Sequence, residues 1–244
     1  MLTPSTMLLV FTSRPKPSSQ CCHCQHLWYD FFMTRQAAPK RYHHGDLRNA
    51  LIKAGTRLLR DHGVAGLTLR TVAKRAGVSH TAPYRHFPDK VSLLAAIATV
   101  GFEQLSAALT EVVVTHADDP AKQFIEAGIA YVLLAVRNPE TAHLMFGGGS
   151  LDLKDADQTL ELAGKRAFED LVRIVENGLR AGIYRDGDAE KLALVAWAHA
   201  HGLATLIIAG RIKDAASSEQ QVIELTRYVC QTQLSGMLNN TSVN

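Results

Sequence analysis

An all-helical fold follows from three features of this 244-residue chain. Apolar residues recur at three- and four-residue spacing along most of it, turn-forming clusters interrupt that recurrence, and no paired alternating segments suggest strands. A hydrophobic content of 47% with 20% charged residues excludes a disordered chain, and four cysteines are too few for a disulfide-framed secreted domain. The charge is unevenly placed. Residues 33–92 carry 12 Lys and Arg against 3 Asp and Glu, a net +9, whereas residues 93–244 carry 12 against 19, a net −7. A basic module thus precedes an acidic one. That order suits an N-terminal contact with a polyanion, nucleic acid first among them, and a different task for the remainder.

Residues 1–44 read as a tail ending in a basic arm. Pro4, Pro15, Pro17 and the cluster Cys21, Cys22, His23, Cys24 and His26 lie outside any periodic pattern, and Met33 is an alternative start. Cys21 and Cys24 have the spacing of half a zinc site, but a structural site wants four ligands and the sequence offers no second pair, so no metal or other cofactor is expected. The run from Met7 to Phe11 is too short for an export signal, which leaves a cytoplasmic location as the expectation. Lys40, Arg41, His43 and His44 form an arm suited to phosphate or to the minor groove.

From Asp46, a suitable N-cap, Leu47, Leu51, Ala54 and Leu58 make the apolar stripe of a first helix, expected to stop at Gly63. Thr68 should cap a second helix that buries Leu69, Val72 and Ala73 and ends at Gly77. Ser79 should cap a very short third helix to about His86, with Pro83 tolerated near its start because the first helical amides have no intrahelical acceptor. Further helices are expected from Asp89 or Lys90 to Val114, Pro120 to Val136, a short piece from Pro139, then Ala156 to Ala181, Ala189 to Ala209 and Ser217 to Leu238, about nine in all. The uncharged run Leu192 to Gly210 approaches the length of a membrane span. It holds His199, His201 and two glycines, and a helix apolar on most sides is equally expected between protein surfaces, so no membrane contact is expected.

The two short helices joined by Gly77-Val78-Ser79 make a helix-turn-helix, in which the second helix enters the major groove of DNA. Val72, Ala73, Val78, Tyr84 and Phe87 are assigned to packing on the first helix, which leaves His80, Thr81 and Arg85 outward, bordered by Arg70, Lys74, Arg75 and Lys90. A merely solvated basic hairpin would share the charge. The glycine turn and the polar outward helix coincide with that charge, which favours double-stranded DNA. No HExxH, GxSxG, Walker loop or strand-helix GxGxxG motif is present, so no enzyme is expected.

The segment LTLRTVAKRAGVSHTAPYRHFPDKVSLL, Leu67 to Leu94, resembles the DNA-binding domain of the tetracycline-repressor (TetR) family. The matching residues are Thr68, Ala73, Ala76 to Ser79, Tyr84, His86, Phe87 and Lys90, and Pro83 departs from the aliphatic residue of most members. Farther on, Trp197, His201 and Gly202 resemble the W-x-x-x-H-G signature of one TetR-type C-terminal domain. The resemblance implies a DNA-binding domain over 45–105, a helical effector-binding and dimerisation domain over 106–240, and a homodimer interface near 189–238. The candidate DNA contacts are Thr68, Arg70, Ser79, His80, Thr81, Tyr84, Arg85, His86, Lys90 and Arg41. Phe102, Tyr131, His143, Phe146, Phe168, Trp197 and His201 are the effector-cavity candidates, with Phe124 and Met145 beside them; Trp197 and His201 read first as a core pair. The expected function is a repressor released from a palindromic operator by a small molecule of unknown identity. The alternative is a constitutive dimeric DNA-binding protein without small-molecule input.

Overall fold

The computed structural model describes residues 47–147 and 158–238, which form eight α-helices, two 3-10 turns and one isolated antiparallel bridge between Tyr184 and Leu238. Asp46, Arg41 and the Cys21 to His26 cluster lie outside the described residues. Helix α1 (Leu47–Gly66) buries Leu51, Ala54 and Leu58 of the stripe that the sequence spacing predicts, adds Ile52 and Leu59, and leaves Leu47 half-buried. Its end differs from expectation. Gly63 adopts φ 64° and ψ −175°, a backbone open to glycine but not the left-handed helical one of a cap, and the chain kinks there and makes one more turn to Gly66. That turn is held because Val64 packs against the core and its carbonyl accepts a hydrogen bond from Lys90 Nζ.

Helix α2 (Leu69–Ala76) starts with a reciprocal cap: Thr68 Oγ1 accepts from the Thr71 amide at 3.1 Å, and Thr71 Oγ1 accepts from the Thr68 amide at 2.9 Å. Gly77, at φ 71° and ψ 31°, ends it in the left-handed conformation. The third α-helix expected from Ser79 is instead a 3-10 turn, Ala82–Arg85, with no side-chain cap. Pro83 explains the correction: its nitrogen cannot donate, while its carbonyl accepts from both the His86 and the Phe87 amides at 2.9 Å, closing a tight turn before a regular α-helix can develop. Pro83 itself is buried, and Tyr84, expected to pack on α1, is 57% exposed.

Asp89 Oδ1 accepts from the Ser92 amide at 2.8 Å and opens α3 (Lys90–Thr115). This 26-residue helix is the spine of the molecule. Leu93 to Ala98 are all buried near its start, and Phe102, Leu105 and Leu109 are buried farther along. Around it pack α4 (Pro120–Arg137), α5 (Pro139–Met145) and α6 (Gln158–Arg180), while α7 (Ala189–Ile208) and α8 (Glu219–Ser235) cover the far side of α4. One continuous apolar core runs from Leu51 to Met237. The α4–α8 contact carries two ion pairs, Arg137 to Glu219 at 2.6 Å and Arg227 to Glu126 at 2.9 Å.

Gly178 on α6 is needed for packing. A Cβ there would lie 1.9 Å from Tyr184, whose ring is buried and whose hydroxyl donates to the Pro120 carbonyl at 2.9 Å. Helices α3 and α7 are both long and apolar enough to cross a membrane by composition alone. The first is a core helix, whereas α7 leaves Leu194, Val195, Leu206 and Ile208 exposed in the single protomer.

Candidate DNA interface and ligand cavity

The helix-turn-helix face is built from side chains that the local fold leaves free. Leu69, Val72, Ala73, Pro83 and Phe87 are buried; α2 packs on α1 and the 3-10 turn packs on α2, which anchors a segment too short to hold its shape alone. Arg48 of α1 stacks its guanidinium over the Phe87 ring, 5.5 Å from the ring centre, and Arg75 pairs with Asp61 of α1 at 2.6 Å. The Arg75 guanidinium holds the Asp61 carboxyl below its ordinary range, so both charges persist at neutral pH. Arg70, Lys74, Ser79, His80, Thr81, Tyr84 and Arg85 are exposed.

Thr68 is exposed but spends its hydroxyl on the α2 cap, Ser79 Oγ lies 3.2 Å from Thr81 Oγ1, and His86 is half-buried behind the turn. Lys90 is half-buried with its ammonium on the Val64 carbonyl, which ties the start of α3 to the end of α1. Arg41 lies outside the described residues.

The second feature is a cavity of about 1140 Å³ lined by α3 through α8 and open to solvent on one side. Phe102, Tyr131, Phe146, Phe168 and Trp197 line it, as do Phe124 and Met145. Phe146, at the end of α5, is the hub of the aromatic wall. Its ring centre lies 5.4 Å from Phe102, 5.7 Å from Trp197, 6.0 Å from Tyr131 and 4.9 Å from His201.

Behind that wall the Trp197 indole donates to the Tyr131 hydroxyl at 3.3 Å, and Tyr131 lies 2.8 Å from His201 Nδ1. An indole N–H can only donate, so the tyrosine oxygen accepts from it. Burial pushes the Tyr131 hydroxyl far above the ordinary tyrosine range, which agrees with a protonated group.

Two cavity candidates need correction. His143 sits on the outward face of the short helix α5 and is exposed, because the inward positions of that turn belong to Ala142, Leu144 and Met145. His201 does not reach the cavity surface, since the Phe146 ring and its bond to Tyr131 hold it in the wall. Sequence reasoning also missed lining residues, namely Glu161 and Lys165 on α6, His199 on α7, and Cys230 and Gln233 on α8. A usable signal existed for the last two: with Val222 and Thr226 they follow three- and four-residue spacing along the buried face of α8.

Comparison with known proteins follows the same division. The family model described as bacterial regulatory proteins of the tetR family matches residues 51–97, and a tetracyclin repressor-like C-terminal domain model matches residues 124–227. The class A tetracycline repressor protein from transposon 1721 of Escherichia coli is 33% identical over 123 residues, 49% of this chain and 55% of that protein. The chain thus aligns with about half the length of that relative. A solved protein of unknown function from Rhodococcus sp. RHA1 is 36% identical, with a TM-score of 0.72 over 82% of this chain and 100% of that one. The TetR family transcriptional regulator PfmR from Thermus thermophilus shares the fold, with a TM-score of 0.58 at 18% identity over 78% of this chain and 99% of its own. Because both family models match in chain order, one on the helix-turn-helix and one on the helices around the cavity, the chain belongs to the TetR family of DNA-binding transcriptional regulators.

Proposed function

We propose that this regulator is a cytoplasmic repressor that grips a palindromic operator as a homodimer and lets go when a small apolar molecule enters the cavity. The observation that carries the reading is α3, which contributes Leu93 to Ala98 to the core under the helix-turn-helix and Phe102, Leu105 and Leu109 to the cavity wall. A ligand that tilts this helix moves the DNA-contacting head with it. Arg70, His80, Thr81, Tyr84 and Arg85 are the exposed groups for base and phosphate contact, bordered by Ser79, Thr68, His86 and Lys90; Arg41, outside the described residues, is proposed on sequence alone to add a contact.

The apolar residues left exposed on α7, with Tyr228 on α8, support the dimer interface, since their solvent exposure in a single protomer is unfavourable. Two recognition elements related by a two-fold axis would meet successive major grooves about 34–36 Å apart. Trp197 and His201 of the W-x-x-x-H-G signature act in this reading as a brace for the aromatic wall more than as direct ligand contacts.

The test has two arms. Selection from a random DNA pool should return an inverted repeat, and a thermal-shift screen should find apolar compounds that raise the melting temperature and weaken operator binding together. Asymmetric selected sequences would overturn the dimeric operator reading. Stabilising compounds that leave operator affinity unchanged would overturn the release mechanism.

A further inference from the structure

Asp170 is the one carboxylate that the fold buries among the described residues, and its two partners lie on different helices. The Ser106 hydroxyl of α3 donates to Asp170 Oδ2, whereas the exposed Arg173 guanidinium, one turn on along α6, lies 2.9 Å from Oδ1. Only the serine bond crosses between helices. Its neighbours in sequence place it beside the cavity, because Leu105 and Leu109 on α3 and Ala167, Phe168 and Leu171 on α6 are lining residues. Ser106 and Asp170 are not among the lining.

The contact between α3 and α6 is otherwise apolar here. Phe102 rests over Gly164, where a Cβ would sit 3.5 Å from the ring, and Leu105, Leu109, Ala163, Ala167 and Ile174 are buried. Apolar contact is non-directional and tolerates small shifts of one helix along another. A hydrogen bond to a buried carboxylate does not, since a shift of either helix would leave Oδ2 without its donor. A few turns earlier the same α3 holds Leu93 to Ala98 in the core beneath the helix-turn-helix.

We propose that Asp170 is a positioning residue for operator binding: through Ser106 it pins α3 against α6 and so fixes the angle at which the helix-turn-helix is presented. This rests on the reading of α3 as the member that carries movement between body and head. A head free to sample several angles fits its half-site for only part of the time, and specific affinity falls by that fraction. The sequence-independent attraction to phosphate survives the spread.

Fluorescence anisotropy of the full chain on the selected operator and on an unrelated duplex of equal length gives the ratio of specific to non-specific affinity, and calorimetry gives the melting temperature. Ser106→Ala should lower the ratio about 3- to 30-fold, the range for a change that alters coupling without touching the ligand, with affinity for the unrelated duplex held within about twofold. Asp170→Asn keeps the volume, replaces the carboxylate with an amide and should act in the same direction. The double variant should lose no more than the weaker-binding single one, as two ends of one bond require. Arg173→Ala cuts only the bond within α6 and should keep the ratio.

The proposal is overturned if the ratio survives Ser106→Ala, if both affinities fall together, or if Arg173→Ala lowers the ratio as far as Ser106→Ala does. Non-additive melting temperatures with an unchanged ratio would show the bond present and α3 not transmitting, which refutes the lever as well. Additive effects on both readouts refute the bond itself. No effector enters these measurements, so a failure of the release reading shows in the ligand screen and leaves this test decisive.

Discussion

Replacing Tyr84 with alanine separates a DNA-contacting residue from a core residue, the two roles that the sequence leaves in competition. Tyr84 is 57% exposed, so roughly two-fifths of its side chain is removed from water. A fully buried aromatic covers ~150–250 Å², which makes that fraction about 60–110 Å² and its gross contribution about 1.5–2.5 kcal/mol. Area sums of this kind are upper bounds and alanine keeps the Cβ, so the expected loss is about 1 kcal/mol. For a domain of this size that lowers the melting temperature by about 2–4 °C. A tyrosine packed on α1 would cost about 3–5 kcal/mol and lower it by about 10 °C or more. Operator affinity should meanwhile fall about 5- to 100-fold, the range for one lost base or phosphate contact. Calorimetry and fluorescence anisotropy on the selected operator give the two numbers. A melting loss above about 10 °C with specific binding retained would refute the reasoning and return Tyr84 to the core.

Gly178→Ala should destabilise the protein by about 2–4 kcal/mol despite the better helix propensity of alanine, because the new Cβ would lie 1.9 Å from the Tyr184 ring and force it off the Pro120 carbonyl; a stabilised variant in urea titration would refute that packing. Lys90→Met removes the charged donor to the Val64 carbonyl and should cost about 1–2 kcal/mol. If the same ammonium also meets a phosphate, the magnitude of the operator salt slope drops by about 1 per subunit; an unchanged melting curve would deny the link to α1. Leu206→Glu places a charge on the exposed face of α7 and should leave a folded monomer by light scattering, whereas a persistent dimer with intact DNA binding would put the interface elsewhere. Hydrogen bonds from the Ser92 amide and hydroxyl hold the Asp89 carboxyl below its usual 3.8, so its contribution is present above that value and is lost as pH falls through the lower folded one. Asparagine caps nearly as well without titrating. The stability gap between Asp89→Asn and the parent should therefore shift in the variant's favour as the pH drops below about 4, and a gap constant with pH would refute the assignment.

The helical architecture was legible because its signals are local. Thr68, Asp89, Asp119, Asp188 and Ser218 each accept a hydrogen bond from an amide in the first turn of the following helix, as their residue types suggest. The turn after Gly77 was less legible, since the contest between Tyr84 and Pro83 for the slot beneath it depends on a 3-10 geometry that period-counting does not register. Aromatic cavity residues stood out by type, and Phe102, Tyr131, Phe146, Phe168 and Trp197 do meet around one space. Histidine misled in both directions. His143 and His201 are the cavity candidates by sequence, yet His199 is the one that lines it, because tertiary packing decides which face of α5 and of α7 turns inward. Gln233 and Cys230 follow the three- and four-residue spacing of the inward face of α8, a signal of position, but their residue types alone do not point to a cavity.

The continuity of α3 also bears on how the folded state opens. No break divides the stretch holding Leu93 to Ala98 from the stretch holding Phe102, Leu105 and Leu109, and all of them share a single apolar core. Sub-global opening of the cavity region would strip partners from the helix that the head depends on, so the two halves should open as one cooperative unit. Hydrogen exchange would register this as amides of residues 93–98 and 102–109 sharing one opening free energy. Because any occupant of the cavity binds the closed form alone, it should slow exchange at residues 93–98, which it does not touch, by the same factor as at the wall it lines.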